Sequence, residues 1–241
     1  MDILFWTQCN PKIAVSHTLK KYFAKYLYKI VVYAPAGRLI DDKGNMTVAL
    51  DHRRTVTRNI NQAGWWGHRY NKDLDHANID FLEVLREIRR NPNGIKLRVE
   101  EPRVQIYAET EEELIELVKN QLSPFTQYVE NFSGPADSDA VIALNSGAII
   151  RKTNIGYTHK VILRDGRYTQ EVKFGLLKYL TSVNGDTVML PDSLTAMLTG
   201  KSGYIWNGYF YTNDPSVTMF LNLMNPGLVL NIHELVVLAH K

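Results

Sequence analysis

The chain presents the same four elements twice, in the same order, on either side of a Gly/Pro/Ser-rich stretch near residue 135. In the first half Tyr26-Leu-Tyr-Lys29-Ile-Val-Val precedes a helical run from Phe81. An apolar strand ending Gln105-Ile-Tyr107-Ala-Glu-Thr follows, then Leu114-Ile-Glu-Leu-Val before Ser123-Pro124. In the second half Tyr157-Thr-His-Lys160-Val-Ile-Leu precedes a helical run from Phe174. A strand ending Tyr209-Phe-Tyr211-Thr-Asn-Asp follows, then Val217-Thr-Met-Phe-Leu before Asn225-Pro226. Self-similarity in a fixed order constrains a fold more tightly than any local propensity, because each copy must solve the same burial problem. The expectation is an α+β protein of two pseudo-duplicated halves, residues 1–134 and 135–241, each a mostly antiparallel sheet with helices on one face.

Local patterning fills in each half. Asp2-Ile-Leu-Phe-Trp-Thr reads as a short strand, and Ser16 to Tyr26 as a helix capped by Ser16. Tyr28 to Ala34 is β-branched and aromatic, hence a strand. Residues 41–80 are polar and weakly periodic and read as a long loop inserted in the first copy, a kind of segment that tends to carry function. Asp80 is placed to cap the helix from Phe81, and residues 95–107 alternate as two strands around Pro102. Thr110-Glu-Glu-Glu113 is a capping box, which explains its acidity. Phe125 to Phe132 adds a helical turn or two. The second half is expected to open with a hairpin from Val141 and to continue with another across Asp165-Gly166, from Tyr157 to Phe174. A helix runs through Leu176 to Leu180, a short one is capped by Asp192 or Ser193, and another starts at Asp214-Pro215. Residues from Gly227 to His240 are expected to end helically.

No apolar run approaches the roughly 20 residues of a membrane span. Cys9 is the only cysteine, so no internal disulfide forms, and a reducing cytoplasmic setting is expected. Cys9 reads as a small apolar filler. The net charge of +3 hides a segmental distribution. Residues 1–72 carry 12 Lys+Arg against 4 Asp+Glu, residues 73–134 carry 7 against 13, and the remainder 9 against 8.

That basic first third is also aromatic. Stacking surfaces beside cations are what single-stranded nucleic acid requires, since bases stack while ammonium and guanidinium groups track phosphates. The expected contacts are Lys20, Lys21, Lys25, Arg38, Arg53, Arg54, Arg58, Trp65, Trp66 and Arg69, with the first three lysines on adjacent turns of a helix and Arg53, Arg54 and Arg58 clustered in the loop. The leading expectation is a non-catalytic accessory protein binding RNA or another single strand. The alternative is an assembly or protein-interaction role, because aromatic and arginine side chains dominate such interfaces as well. A metal-dependent nuclease is a third reading, drawn from Asp165 with Glu171 and Lys173. His68, Asp73, Asp75 and His76 supply metal-ligand types without a recognisable spacing. No phosphate-binding glycine loop or nucleophile elbow occurs, and no cofactor is expected.

Overall fold

The computed structural model describes residues 1–61, 74–183 and 185–237, and the chain divides into two units, Met1–Val141 and Ile142–Lys241. The first unit opens with a helix, α1 (Ile3–Cys9), where a short strand was expected. The Asp2 carboxylate accepts from the Phe5 N–H, and Trp6 is fully buried, stacked 4.3 Å from Phe132 with its indole N–H donating to Glu111 at 2.9 Å. Capping and one anchored indole decide the conformation. The expected helix at Ser16 is instead the end of strand β1 (Ala14–His17), where pairing with a later strand overrides local preference.

Strand β2 (Tyr28–Tyr33) stands as expected. The segment read as a long loop holds a 3-10 turn, Gly37–Asp41, and a 16-residue helix, α2 (Met46–Asn61). Its buried stripe is thin, with Met46 and Leu50 one turn apart and Thr57 two turns on, so a mostly polar helix looked aperiodic. Helix α3 (Ile79–Arg90) is capped by Asn78 rather than Asp80. Strands β3 (Lys96–Glu100) and β4 (Arg103–Ala108) form a hairpin, followed by α4 (Glu111–Leu117) with its Thr110/Glu113 capping box. Residues 118–128 wind through irregular helical turns. Val129 then starts a strand, β5 (Val129–Gly134), where further helix was expected.

In the second stretch α5 (Ser138–Asn145) replaces the hairpin expected from Val141, since Asp137 caps it by accepting from the Ala140 N–H. Strands β6 (Ile149–Arg151), β7 (His159–Leu163) and β8 (Gly166–Arg167) follow, then α6 (Gln170–Ser182), which contains the helix expected through Leu176 to Leu180 but begins where the second arm of a hairpin was expected. The Thr169 hydroxyl caps α6. Next come β9 (Val188–Met189), α7 (Asp192–Thr199), β10 (Tyr204–Ile205), β11 (Tyr209–Thr212) and α8 (Val217–Met224). The expected terminal helix is a nine-residue strand, β12 (Val229–Val237). It pairs on both edges, and that pairing outweighs the helix propensity of its leucines.

The class is α+β, and the duplication is a matter of topology. The first five-stranded sheet has the order β1-β5-β2-β4-β3, and the second β6-β12-β7-β11-β9. Taken as first to fifth strand of each sheet, the two orders are identical. So are the directions: the first strand is parallel to the last, and every other neighbour is antiparallel. Register agrees as well. Lys29 lies opposite Tyr107 and Ser133, and Lys160 opposite Tyr211 and His233. One face of each sheet is the core. Ile30, Val32, Val104 and Ile106 meet Phe81, Leu85 and Leu114 in the first unit, and Val161, Leu163 and Phe210 meet Leu176, Leu194 and Leu221 in the second. No described helix is long and apolar enough to cross a membrane.

Lys173 is the unusual core residue. It lies on α6 rather than on a strand, it is fully buried, and its ammonium donates to the carbonyls of Gly200 at 2.6 Å and Ser202 at 2.7 Å. The turn after α7 is thereby tied to α6. Lys173→Met keeps the length but leaves both acceptors unsatisfied, and it is expected to cost about 2 kcal/mol. Urea unfolding of the full chain checks this, and an unchanged midpoint would count against the tie.

Candidate nucleic-acid interface

The face of the first sheet turned away from the core is set by strand alternation. With Ile30 and Val32 inward, Lys29, Val31 and Tyr33 point outward. On β4 the outward residues are Arg103, Gln105 and Tyr107, and on β3 Lys96, Arg98 and Glu100. Register turns these into rows. Ser133, Lys29, Tyr107 and Lys96 run side by side across four strands, and Asn131, Val31, Gln105 and Arg98 form the next row. Tyr107 therefore sits between two lysines.

The connection from β1 to β2 folds over the Tyr107 row. Tyr22 and Tyr26 bridge to each other, and the tight turn between them carries Phe23 and Ala24 at φ 53° and 57°. Two consecutive non-glycine residues in the left-handed region are strained, at a cost on the order of 1 kcal/mol or more each. Backbone hydrogen bonds between Tyr22 and Tyr26 close the turn, and aromatic contacts hold it on the sheet. Tyr22, Phe23 and Tyr26 lie 5.2, 5.1 and 6.2 Å from the Tyr107 ring, with Phe23 edge-on. Phe23 nevertheless remains 46% exposed.

The charges differ in how they are matched. Lys25 pairs with Glu109 at 2.8 Å, Arg98 with Glu100 at 2.8 Å and Arg103 with Glu130 at 2.5 Å. Lys96 and Lys29 rest on rings instead, 3.6 Å from the centroid of Phe23 and 5.0 Å from that of Tyr22. Among the described residues neither has a carboxylate within ion-pair distance. Cations held on aromatic faces keep their charge available to an anion while their stems stay ordered. Burial pushes the Tyr107 phenol up to about 12, with Arg98 opposing and Glu100 and Tyr22 adding to the rise. Its hydroxyl donates to Gln105.

Of the residues expected from sequence, Lys25 joins this cluster, and Lys20 and Lys21 lie just before it on the same connection, at and after a bend rather than on a helix. The others are elsewhere. Arg38 sits in the 3-10 turn and pairs with Glu101 at 3.1 Å. Arg53, Arg54 and Arg58 lie on α2, not in a loop. Arg53 approaches Asp42 at 3.7 Å, and Arg54 donates to the Leu74 carbonyl at 3.0 Å and approaches Asp51 and Asp75, so both have structural partners. Arg58 is exposed. Trp65, Trp66 and Arg69 lie outside the described residues, as do His68 and Asp73 of the metal-ligand set.

No group of three metal-ligating side chains occurs among the described residues. Asp165 accepts from the Asn207 N–H at 2.7 Å, and Lys173, the third member of the nuclease reading, is committed to two carbonyls. Burial pushes the Cys9 thiol up, against Lys119, which disfavours a thiolate. Sequence reasoning missed Lys29, Lys96 and Tyr107 as site residues. The signal was present in the repeated Tyr-x-x-Lys strand and its partner ending in tyrosine, but only register brings the two together.

The Tyr107 phenol fixes a pH response. Its folded value lies above the ordinary value near 10, so its contribution is intact below pH 10 and is lost as pH rises from there toward about 12. Stability of the first unit is expected to fall across that window, and Tyr107→Phe to flatten the fall. Unfolding midpoints measured at intervals from pH 9 to 12 check it. No protein family, curated protein or solved structure matches the chain.

Proposed function

We propose that this protein binds single-stranded nucleic acid, RNA among the candidates, through the outward face of its first sheet and the Tyr22–Tyr26 turn. The observation that carries this reading is the row in which Tyr107 is flanked by Lys29 and Lys96 beneath an exposed Phe23. A base stacked on Phe23 places its phosphates within the field of two ammonium groups that no carboxylate neutralises. Lys20 and Lys21 extend the positive surface along the strand's path, whereas Arg98 is matched by Glu100. In the second row the Gln105 amide is held by Glu100 and Tyr107, and Asn131, whose Oδ1 accepts from Ser133, turns its amide N–H groups to base edges. The role is non-catalytic, since the reading uses stacking and electrostatics alone.

A protein-interaction role rests on a different observation. Helix α8 exposes Met219, Phe220, Leu223 and Met224, with Leu223 81% exposed, and apolar side chains grouped in this way suit a protein partner. Sedimentation over a range of concentrations separates the readings: a monomer that shifts labelled RNA supports the first, and an assembly that binds no polynucleotide supports the second.

Phe23→Ala is expected to weaken binding by about 1–3 kcal/mol, the usual worth of one stacked base. The double change Lys29→Ala and Lys96→Ala should weaken binding across all sequences and flatten the dependence of log affinity on log salt by about 0.7 for each phosphate no longer held. A fluorescence-anisotropy titration of a labelled single strand at several salt concentrations reads both. Salt-independent binding, or none at low salt, rejects the reading.

A further inference from the structure

The second unit repeats part of the row that defines the first site: the central lysine and its tyrosine recur, while Met189 stands opposite Tyr211 where Lys96 stands opposite Tyr107. Lys160 lies opposite Tyr211 on one side and His233 on the other, as Lys29 lies opposite Tyr107 and Ser133. The aromatic partner from the preceding connection recurs too: Tyr157 is 6.5 Å from Tyr211, and Tyr26 is 6.2 Å from Tyr107. The Lys160 ammonium lies 3.7 Å from the Tyr209 ring and 5.9 Å from that of Tyr211. Two units built around different core side chains nonetheless keep the same cation and the same two rings at the same register. Stability does not require this, because outward positions on a sheet tolerate many polar residues.

The two copies differ in what covers the row. In the first unit the connection turns tightly and sets an aromatic tip over the sheet. In the second it leaves a pocket of about 190 Å³, bordered by Arg151, Asn154, Ile155, Tyr157 and Leu235. The pocket opens on the same face as Lys160, since His233, Leu235 and Val237 alternate to that side of β12 and Arg151 is paired with Val237. Its borders combine an aromatic ring, apolar side chains, an amide and a guanidinium. A flat heteroaromatic ring attached to a phosphate needs that combination. The Tyr209 and Tyr211 rings lie 5.5 Å apart, and Arg151 opposes the rise that burial gives the Tyr211 phenol, so cation and rings act on one another. Glu234 alternates to the opposite face.

We infer that the second unit carries a second single-strand binding site, in which the pocket takes one base beside Tyr157 while Arg151 and Lys160 hold its phosphates. This rests on the proposed reading of the first unit. The sites differ in kind: the first stacks a base on an exposed tip, and the second encloses one.

The test uses the full chain and a labelled single-stranded oligonucleotide of about five nucleotides, near the low end of single-domain site sizes. Stoichiometry is read by calorimetric titration at low salt. The unaltered protein is expected to bind two oligonucleotides. Arg151→Glu with Tyr157→Ala should leave one, Lys96→Glu with Phe23→Ala should leave one, and the four changes together none. Arg151→Lys, which keeps the charge, should retain two, and melting curves of each variant report folding independently. One oligonucleotide per chain, abolished by the first-unit changes and untouched by the second-unit ones, overturns the second site while the first stands. Binding abolished only by the second-unit changes upholds this site and overturns the first. Absence of binding by the unaltered protein overturns both.

Discussion

A strand hydrogen-bonded along both edges cannot rotate, so its odd and even residues are committed to opposite faces. β2 and β7 are such strands, and everything else in each unit is arranged around their parity. Shifting β2 by one residue would bring Lys29 and Val31 into the core and send Ile30 and Val32 to water, at a cost of several buried aliphatic side chains. Register is therefore held by the core, and the outward row of Lys29, Tyr107 and Lys96 inherits its precision from side chains on the other face. The geometry of that row does not depend on loop order, whereas the Phe23 turn above it belongs to a connection.

What lies between the shared strands distinguishes the units. The first places α2 and α3 between its second and third strands and joins the third and fourth by a tight hairpin. The second places α6 at the earlier point and α7 with β10 at the later one. Insertions at either point leave the order of the sheet untouched, because both enter and leave on the helical side or at strand ends. The pairs Lys29–Tyr107 and Lys160–Tyr211 survive these differences on the open faces, while Met189 takes the place of Lys96, His233 that of Ser133, and the covering connection changes.

The strands at the centre of each unit and the duplication itself were readable in the sequence, because Tyr28 to Tyr33 and His159 to Leu163 are β-branched runs bounded by turns. Helix α2 and the first turns of α6 were not. Met46, Leu50 and Thr57 make too sparse a stripe to register as periodic, and Asp165-Gly166 imitates a hairpin turn while Thr169 caps a helix three residues later. β5 and β12 read locally as helix, since neither shows its pairing partners in its own segment. The candidate site was half visible: composition located charge and aromatics in the first third, but placed them on a helix and a loop. Only pairing between strands far apart in the chain sets Lys29 beside Tyr107, and no local window contains both.

The order of the strands has a temporal side. In each sheet the first two strands in sequence never touch, because the last strand of the unit lies between them. β1 and β2 are held apart by β5, and β6 and β7 by β12. The first strand of each unit must therefore wait, unpaired, for the last to be made, and the outermost position is filled only when the whole unit is present. A unit closed in this way has no stable half, so loss of its final strand removes two interfaces at once and leaves the first strand with nothing to bind. Such non-local closure favours slow, all-or-none folding over stepwise growth from one end.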